Sequence, residues 1–199
     1  MPIAIKLNPK DTWAYNSRGI AYMIKGDIDK AIIDFKMVSQ INPNDKRGEI
    51  NISSIIVNQR INQEIINHTE AIRLDPNNSQ LYYNRGITFY NRKNYDLAIA
   101  DYTQAIRLAP NNNIIYASRG LAYFDKGDYD KAITDYTQVI RQNPNSTIFY
   151  NFRGNAYYMK KDWIKAITDY EEALRIDPKS FDVNAKQNLE NARRQIGMK

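Results

Sequence analysis

Six prolines mark the chain at nearly constant intervals: Pro9, Pro43, Pro76, Pro110, Pro144 and Pro178, separated by 34, 33, 34, 34 and 34 residues. A period of this length belongs to stacked-repeat proteins, in which one supersecondary unit cannot bury its apolar side alone and does so against its neighbours. It predicts a solenoid that grows in one dimension and has no single central core. Such a stack offers a long surface to partners and seldom carries chemistry of its own.

Counted from the third residue after each proline, the units are 12–45, 46–78, 79–112, 113–146 and 147–180. Each holds two apolar stretches with helical spacing, parted by a short turn. In the first and fourth units the turn is written Lys25-Gly26-Asp27 and Lys126-Gly127-Asp128, a glycine where one helix ends and an aspartate where the next begins. Asn94 and Asp162 hold the same starting place in the third and fifth units. A side-chain oxygen there is expected to accept from a free helix N–H, worth about 1 kcal/mol. The polar residues after each proline are expected to cap the following helix.

Small residues fall where paired helices must approach closely. They are Gly19, Gly86, Gly120 and Gly154 on the first helices and Ala31, Ala98, Ala132 and Ala166 on the second. Large aromatics stand beside them: Tyr22, Phe89, Tyr123 and Tyr157, then Phe35, Tyr102, Tyr136 and Tyr170. This arrangement resembles the tetratricopeptide repeat family, whose units carry a small residue at the eighth place, an aromatic at the eleventh, Ala at the twentieth, an aromatic at the twenty-fourth and Pro at the thirty-second. Four units match closely and one partly. The resemblance implies an all-α, right-handed solenoid of helix–turn–helix repeats whose first helices line a concave groove.

Carried over place by place, that groove should draw on Trp13, Asn16, Ile20 and Met23 in the first unit, and on Tyr83, Ile87, Tyr90 and Asn91 in the third. The fourth unit would give Leu121 and Phe124, and the fifth Asn151, Asn155 and Tyr158. An apolar lining with aromatic anchors and side amides suits an extended or helical peptide. Family members that hold a chaperone's C-terminal carboxylates use Lys and Asn at the fifth and ninth places. Here those pairs are Asn16/Ile20, Tyr83/Ile87, Ala117/Leu121 and Asn151/Asn155. Without the lysines, a carboxylate-clamp co-chaperone is not expected.

Arg18, Arg85, Arg119 and Arg153 each have an aspartate sixteen residues on: Asp34, Asp101, Asp135 and Asp169. The second unit lacks both partners, with Ile52 and Asn67 in their places. Joint presence and joint absence predict an Arg–Asp pair that joins the two helices of a unit. The competing reading is an arginine row for anions.

The second unit departs further. It is one residue short, has no glycine or proline between Glu49 and Asp75, and puts Glu64 where Ala is expected. The first expectation is a degenerate repeat over 46–78 with a tightened turn. The second is that both helices run on as one, splitting the stack and exposing faces for exchange with another copy. At the start, residues 1–11 match the end of a second helix and are expected to be the remnant of an upstream repeat. Residues 181–197 are expected to form a capping helix, with Phe181, Val183, Ala185 and Leu189 toward the last repeat.

Composition narrows the function. The net charge of +6 invites a nucleic-acid reading, but the basic residues are spread evenly with no run longer than two. That pattern reads as a solvated surface and argues against nucleic acid. There is no cysteine, and the single histidine, His68, aligns with the core aromatics. Nucleophile–base pairs and most zinc sites are thereby unavailable, and the isolated glycines form no phosphate-cradling loop. No segment approaches the roughly 20 apolar residues of a membrane span, and the opening residues do not form a secretory signal, so the cytoplasm is the favoured compartment. The sequence therefore predicts one solenoid domain over 1–199: a non-catalytic scaffold without cofactor or metal, with a protein or peptide partner. The alternative is self-assembly into a homo-oligomer through the incomplete first unit or the irregular second one.

Overall fold

The computed structural model describes residues 2–179 and 183–197. The described residues form eleven α-helices and no strand. They divide into two compact units, Met1–Glu64 and Ile65–Lys199. The boundary between them falls inside a helix.

In the first unit, α1 (Pro2–Leu7) precedes the hairpin α2 (Thr12–Lys25) and α3 (Ile28–Ile41), which is followed by the first part of α4 (Arg47–Leu74). Ala31, Phe35 and Ile55 form its buried centre, with Ile20, Tyr22, Met23 and Ile52 packed around it. Gly48 brings α4 against α3: a Cβ there would lie 2.2 Å from the Phe35 carbonyl oxygen.

The second unit takes up the rest of α4 and continues through three hairpins: α5 (Ser79–Asn91) with α6 (Tyr95–Leu108), α7 (Asn113–Lys126) with α8 (Tyr129–Gln142), and α9 (Thr147–Met159) with α10 (Trp163–Ile176). Then α11 (Val183–Gln195) closes the far end on α9 and α10. Ala185, Leu189 and Ala192 recur at helical spacing and pack with Ala166, Ile167 and Tyr170. Val183, expected to face the last repeat, is exposed because it begins the helix beyond that stripe. Phe181 lies outside the described residues.

Within each hairpin the small residues let the helices touch. A Cβ added to Gly19, Gly86, Gly120 or Gly154 would come within 2.6, 2.6, 2.7 or 2.9 Å of Phe35, Tyr102, Tyr136 or Tyr170. Those four aromatic rings are fully buried, as are Ala31, Ala98, Ala132 and Ala166. Any side chain at these glycines would overpack the pair, at roughly 1–3 kcal/mol.

The turns need one residue at positive φ. Gly26 (φ 85) and Gly127 (φ 92) supply it in two hairpins, while Lys93 (φ 58) and Lys161 (φ 61) take the same left-handed conformation in the others. The helix starts differ from expectation in chemistry though not in place. Asn94 and Asp162 accept from the backbone N–H groups of Leu97 and Lys165. Asp27 and Asp128 occupy the corresponding places but make no such bond; their carboxylates pair instead with Lys30 and Lys131. After the prolines, Asp11, Asn78 and Asn112 cap α2, α5 and α7, whereas Ser146 precedes α9 without a side-chain cap bond.

The second repeat holds the main correction. Its expected tightened turn does not form, and Arg47–Leu74 is one helix of 28 residues. The place that elsewhere reads Lys-Gly-Asp, Arg-Lys-Asn or Lys-Lys-Asp here reads Gln59-Arg60-Ile61. With one residue deleted, and Ile61 standing where the other units place Asp or Asn, the helix propagates through the turn.

Candidate functional site

Two sets of side chains repeat along the hairpins, one holding them together and one facing outward from the first helices. The four predicted Arg–Asp pairs all form. Arg18, Arg85, Arg119 and Arg153 each donate through Nε and Nη2 to both oxygens of Asp34, Asp101, Asp135 and Asp169, at 2.7–2.8 Å. The remaining Nη1 of Arg85, Arg119 and Arg153 donates to Thr69, Thr103 and Thr137 of the preceding second helix, at 3.0–3.1 Å. Aromatic rings flank the guanidinium groups, with Arg119 5.7 and 5.8 Å from the Tyr116 and Tyr123 centroids. These arginines are committed to the scaffold, which removes the anion-binding row. The threonines carry a signal that spacing alone could have revealed, since each lies sixteen residues before its arginine.

The predicted groove residues fall in both compact units. In the first, Trp13 is 69% exposed and lies under the Arg47 guanidinium, 4.1 Å from ring centroid to Cζ. Asn16 is buried and accepts from the Asn51 amide at 2.9 Å, so its oxygen is already engaged. Ile20 and Met23 are half-buried against the Ala31–Phe35 centre.

In the second unit, Tyr83 and Tyr90 of α5 reach across to α7, where their hydroxyls meet Ser118 (3.3 Å) and Asp125 (2.5 Å). Both links join residues 35 apart, as does Asn16 with Asn51. Burial, and then the bond to Asp125, push the Tyr90 phenol above its usual range. Ile87 packs inward beside them, and Asn91 is exposed.

Between α7 and α9 the same surface opens into an apolar recess of about 130 Å³, lined by Leu121, Phe124, Asp125, Tyr136, Phe152 and Asn155. Phe124 stacks edge-on to Tyr129, and Tyr136 to Phe152 lies 5.6 Å ring to ring. Asn155 accepts from the Tyr170 hydroxyl (2.7 Å) and from the Asn188 amide of α11 (3.2 Å). Asn151 is buried, and its side-chain oxygen has no hydrogen-bond partner among the described residues. Tyr158 stands beside Trp163 in an edge-to-face pair, 5.2 Å between centroids.

Of the predicted set, then, Leu121, Phe124 and Asn155 share one recess, Tyr90 of α5 bonds to Asp125 in its lining, and Trp13, Asn16, Ile20 and Met23 belong to the first unit. Sequence reasoning missed Tyr136 and Phe152. Tyr136 belongs to a second helix and counted as core, and Phe152 lies one place from a predicted groove position. Larger recesses, about 500 Å³ around Gln142–Phe149 and about 440 Å³ beside Arg119 and Asp135, are more open to solvent and carry charged or amide side chains on their walls. Among the described residues no group of three or more His, Cys, Asp or Glu could hold a metal ion, and no helix is long and apolar enough to cross a membrane. His68 lies half-buried on α4.

Two family models described as tetratricopeptide repeat match the sequence, one over residues 118–181 and one over 12–45 and 79–112. The latter ranges coincide with two of the proline-bounded units. A comparison with curated proteins finds no match. Among solved structures, the tetratricopeptide domain of Sgt2 from Aspergillus fumigatus is 28% identical with a TM-score of 0.54, covering 60% of this chain and 79% of that one. YrrB, described as a tetratricopeptide repeat protein with an unusual peptide-binding site, covers 97% of both chains at 18% identity and a TM-score of 0.58. The first such domain of Spaghetti (RPAP3), solved with the HSP90 peptide SRMEEVD, covers 60% of this chain and 93% of that one at 24% identity and a TM-score of 0.55.

Proposed function

This chain belongs to the tetratricopeptide repeat family, and from that premise we propose that it is a non-catalytic protein-interaction module that captures a peptide on the first-helix face of its second unit. The observation that carries the reading is the recess between α7 and α9. Leu121, Phe124, Tyr136 and Phe152 offer an apolar socket, while Asp125 and Asn155 stand at its edge. A volume of about 130 Å³ matches one medium apolar side chain. Burial of such a side chain supplies roughly 1.5–3 kcal/mol, and an extended ligand adds backbone contacts on either side. The Tyr83 and Tyr90 rings, held by their hydroxyls, form a rigid aromatic wall on α5 that costs little entropy on binding.

The partner is not a peptide ending in a cluster of carboxylates. The fifth and ninth places of the first helices present no lysine, and the repeat arginines are spent on aspartates. The SRMEEVD peptide seen on the Spaghetti domain is therefore the negative probe.

Selection of displayed random peptides on the intact protein tests the reading. We expect enrichment of sequences with one apolar residue at a fixed place, about tenfold or more weaker binding to Leu121→Asp, and no binding of SRMEEVD. Circular dichroism and thermal melting check that the variant remains folded. Capture that is unchanged in the folded variant would defeat the proposal.

A further inference from the structure

In the four regular repeats the two helices of a hairpin cover one another, with the eighth-place glycine of the first lying on the twenty-fourth-place aromatic of the second. The corresponding residues of the second repeat are Ser53 and His68. Because α4 is continuous, both sit on one rod, 15 residues apart by 68 − 53, or about 22 Å along the axis. Neither half can fold back on the other; the first half leaves uncovered the face that a repeat partner would occupy, and on the second half Glu64 is exposed and His68 half-buried. Ser53 and Glu64 are exposed, and Ile56 and Val57 are 57% and 45% exposed. Elsewhere in the chain the eighth and twentieth places are among the most deeply buried.

We propose that this face is occupied by α4 of a second copy of the chain, packed antiparallel about a two-fold axis near Arg60 and Ile61. The first half of each α4 then takes the second half of the other as its missing repeat partner. Register supports this occupant. Residues 47–74 have their midpoint between residues 60 and 61, and Ser53 and His68 are centred on the same point. One two-fold axis there sets each Ser53 level with His68 of the partner subunit, the pairing that every regular hairpin makes within itself. The contact is isologous and closes at two copies.

Charge supports it as well. Antiparallel packing brings the end that carries Lys46 and Arg47 beside the end that carries Glu70 and Asp75. It sets Arg60 within one turn of Glu64 of the partner subunit, whereas Glu49 and Arg73 already pair with Lys46 and Glu70 in their own chain. A parallel arrangement would set like charges side by side. In the single chain Arg60 and Glu64 meet only loosely, at 3.9 Å with both side chains largely in solvent. The inference goes beyond the peptide-binding reading and uses different residues, so either can fail alone.

Light scattering on the full chain at increasing concentration should give twice 23.2 kDa. Ile56→Glu with Val57→Lys, both at exposed places, should return the mass to that of one chain with unchanged far-ultraviolet circular dichroism. The cysteine-free chain also allows a direct register test. Ser53→Cys and His68→Cys chains, expressed together, should form a disulfide dimer that contains one of each. Four results would overturn the proposal: a monomer at every concentration, a dimer that survives the Ile56/Val57 change, no Ser53→Cys/His68→Cys cross-link between copies, or a disulfide within one chain of the double variant. If the Ile56/Val57 variant fails to fold, the cross-link alone decides.

Discussion

Arg119 shows how a single residue ties this architecture together. Its fork closes on Asp135 with two bonds of 2.7–2.8 Å, its third nitrogen reaches Thr103 on the preceding helix, and two tyrosine rings sandwich the plane. One side chain thus fixes three helices. The Asp135 side chain is 3% exposed and that of Arg119 17%, so removing either partner strands the other in a poorly solvated place. We expect Asp135→Asn to cost about 3 kcal/mol or more, since breaking one side of a buried pair leaves an uncompensated charge. In a urea-denaturation cycle with Arg119→Met, the double variant should be less destabilised than the sum of the singles, by roughly 0.5–3 kcal/mol. Strict additivity would show that the two groups do not act as a pair.

At the scale of the element, the informative contrast lies between the four hairpins and α4. A hairpin needs a residue that tolerates positive φ and then a polar residue that starts the next helix. Lys93 and Lys161 show that glycine is helpful at the first place but not required. The second requirement fails at Gln59-Arg60-Ile61, and the helix runs through. Arg60→Gly separates the two readings of this segment. In a continuous helix it should destabilise the protein by about 1 kcal/mol, whereas at a turn of the Gly26 kind it would stabilise. Chemical denaturation gives the sign.

For the whole molecule, the buried tyrosines couple folding to alkaline pH. Burial raises the phenols of Tyr102, Tyr136 and Tyr170 above their ordinary value near 10. Folded chains therefore keep protons that unfolded chains release. The stabilisation from these groups is complete below about pH 10 and is lost as pH rises into the folded range. Each such phenol steepens the loss by about 1.4 kcal/mol per pH unit. Urea midpoints should stay level up to that point and then fall. Absorbance near 295 nm should show these tyrosines ionising together with unfolding. Tyr136→Phe should flatten the decline by one proton; an unchanged slope would mean that this ring already titrates in the folded state.

Much of this was legible in the sequence because it was written several times over. A period of 34 fixes hairpin length, a glycine sixteen residues before an aromatic fixes which helix faces touch, and Arg and Asp at the same spacing fix the pair between them. Repetition filtered accident from requirement, and each motif depends on contacts within one hairpin. The recess between α7 and α9 was only half legible. Leu121, Phe124 and Asn155 followed from repeat places, but the part played by Tyr136 and Phe152 depends on how neighbouring hairpins are offset, which no single unit encodes. The occupation of Asn16 by Asn51 and of Asn155 by Asn188 was likewise invisible, because each partner lies outside the unit, in α4 or in α11. At 46–78 both a tightened turn and an unbroken helix were open. Local composition permitted either, and only the folded chain decided it.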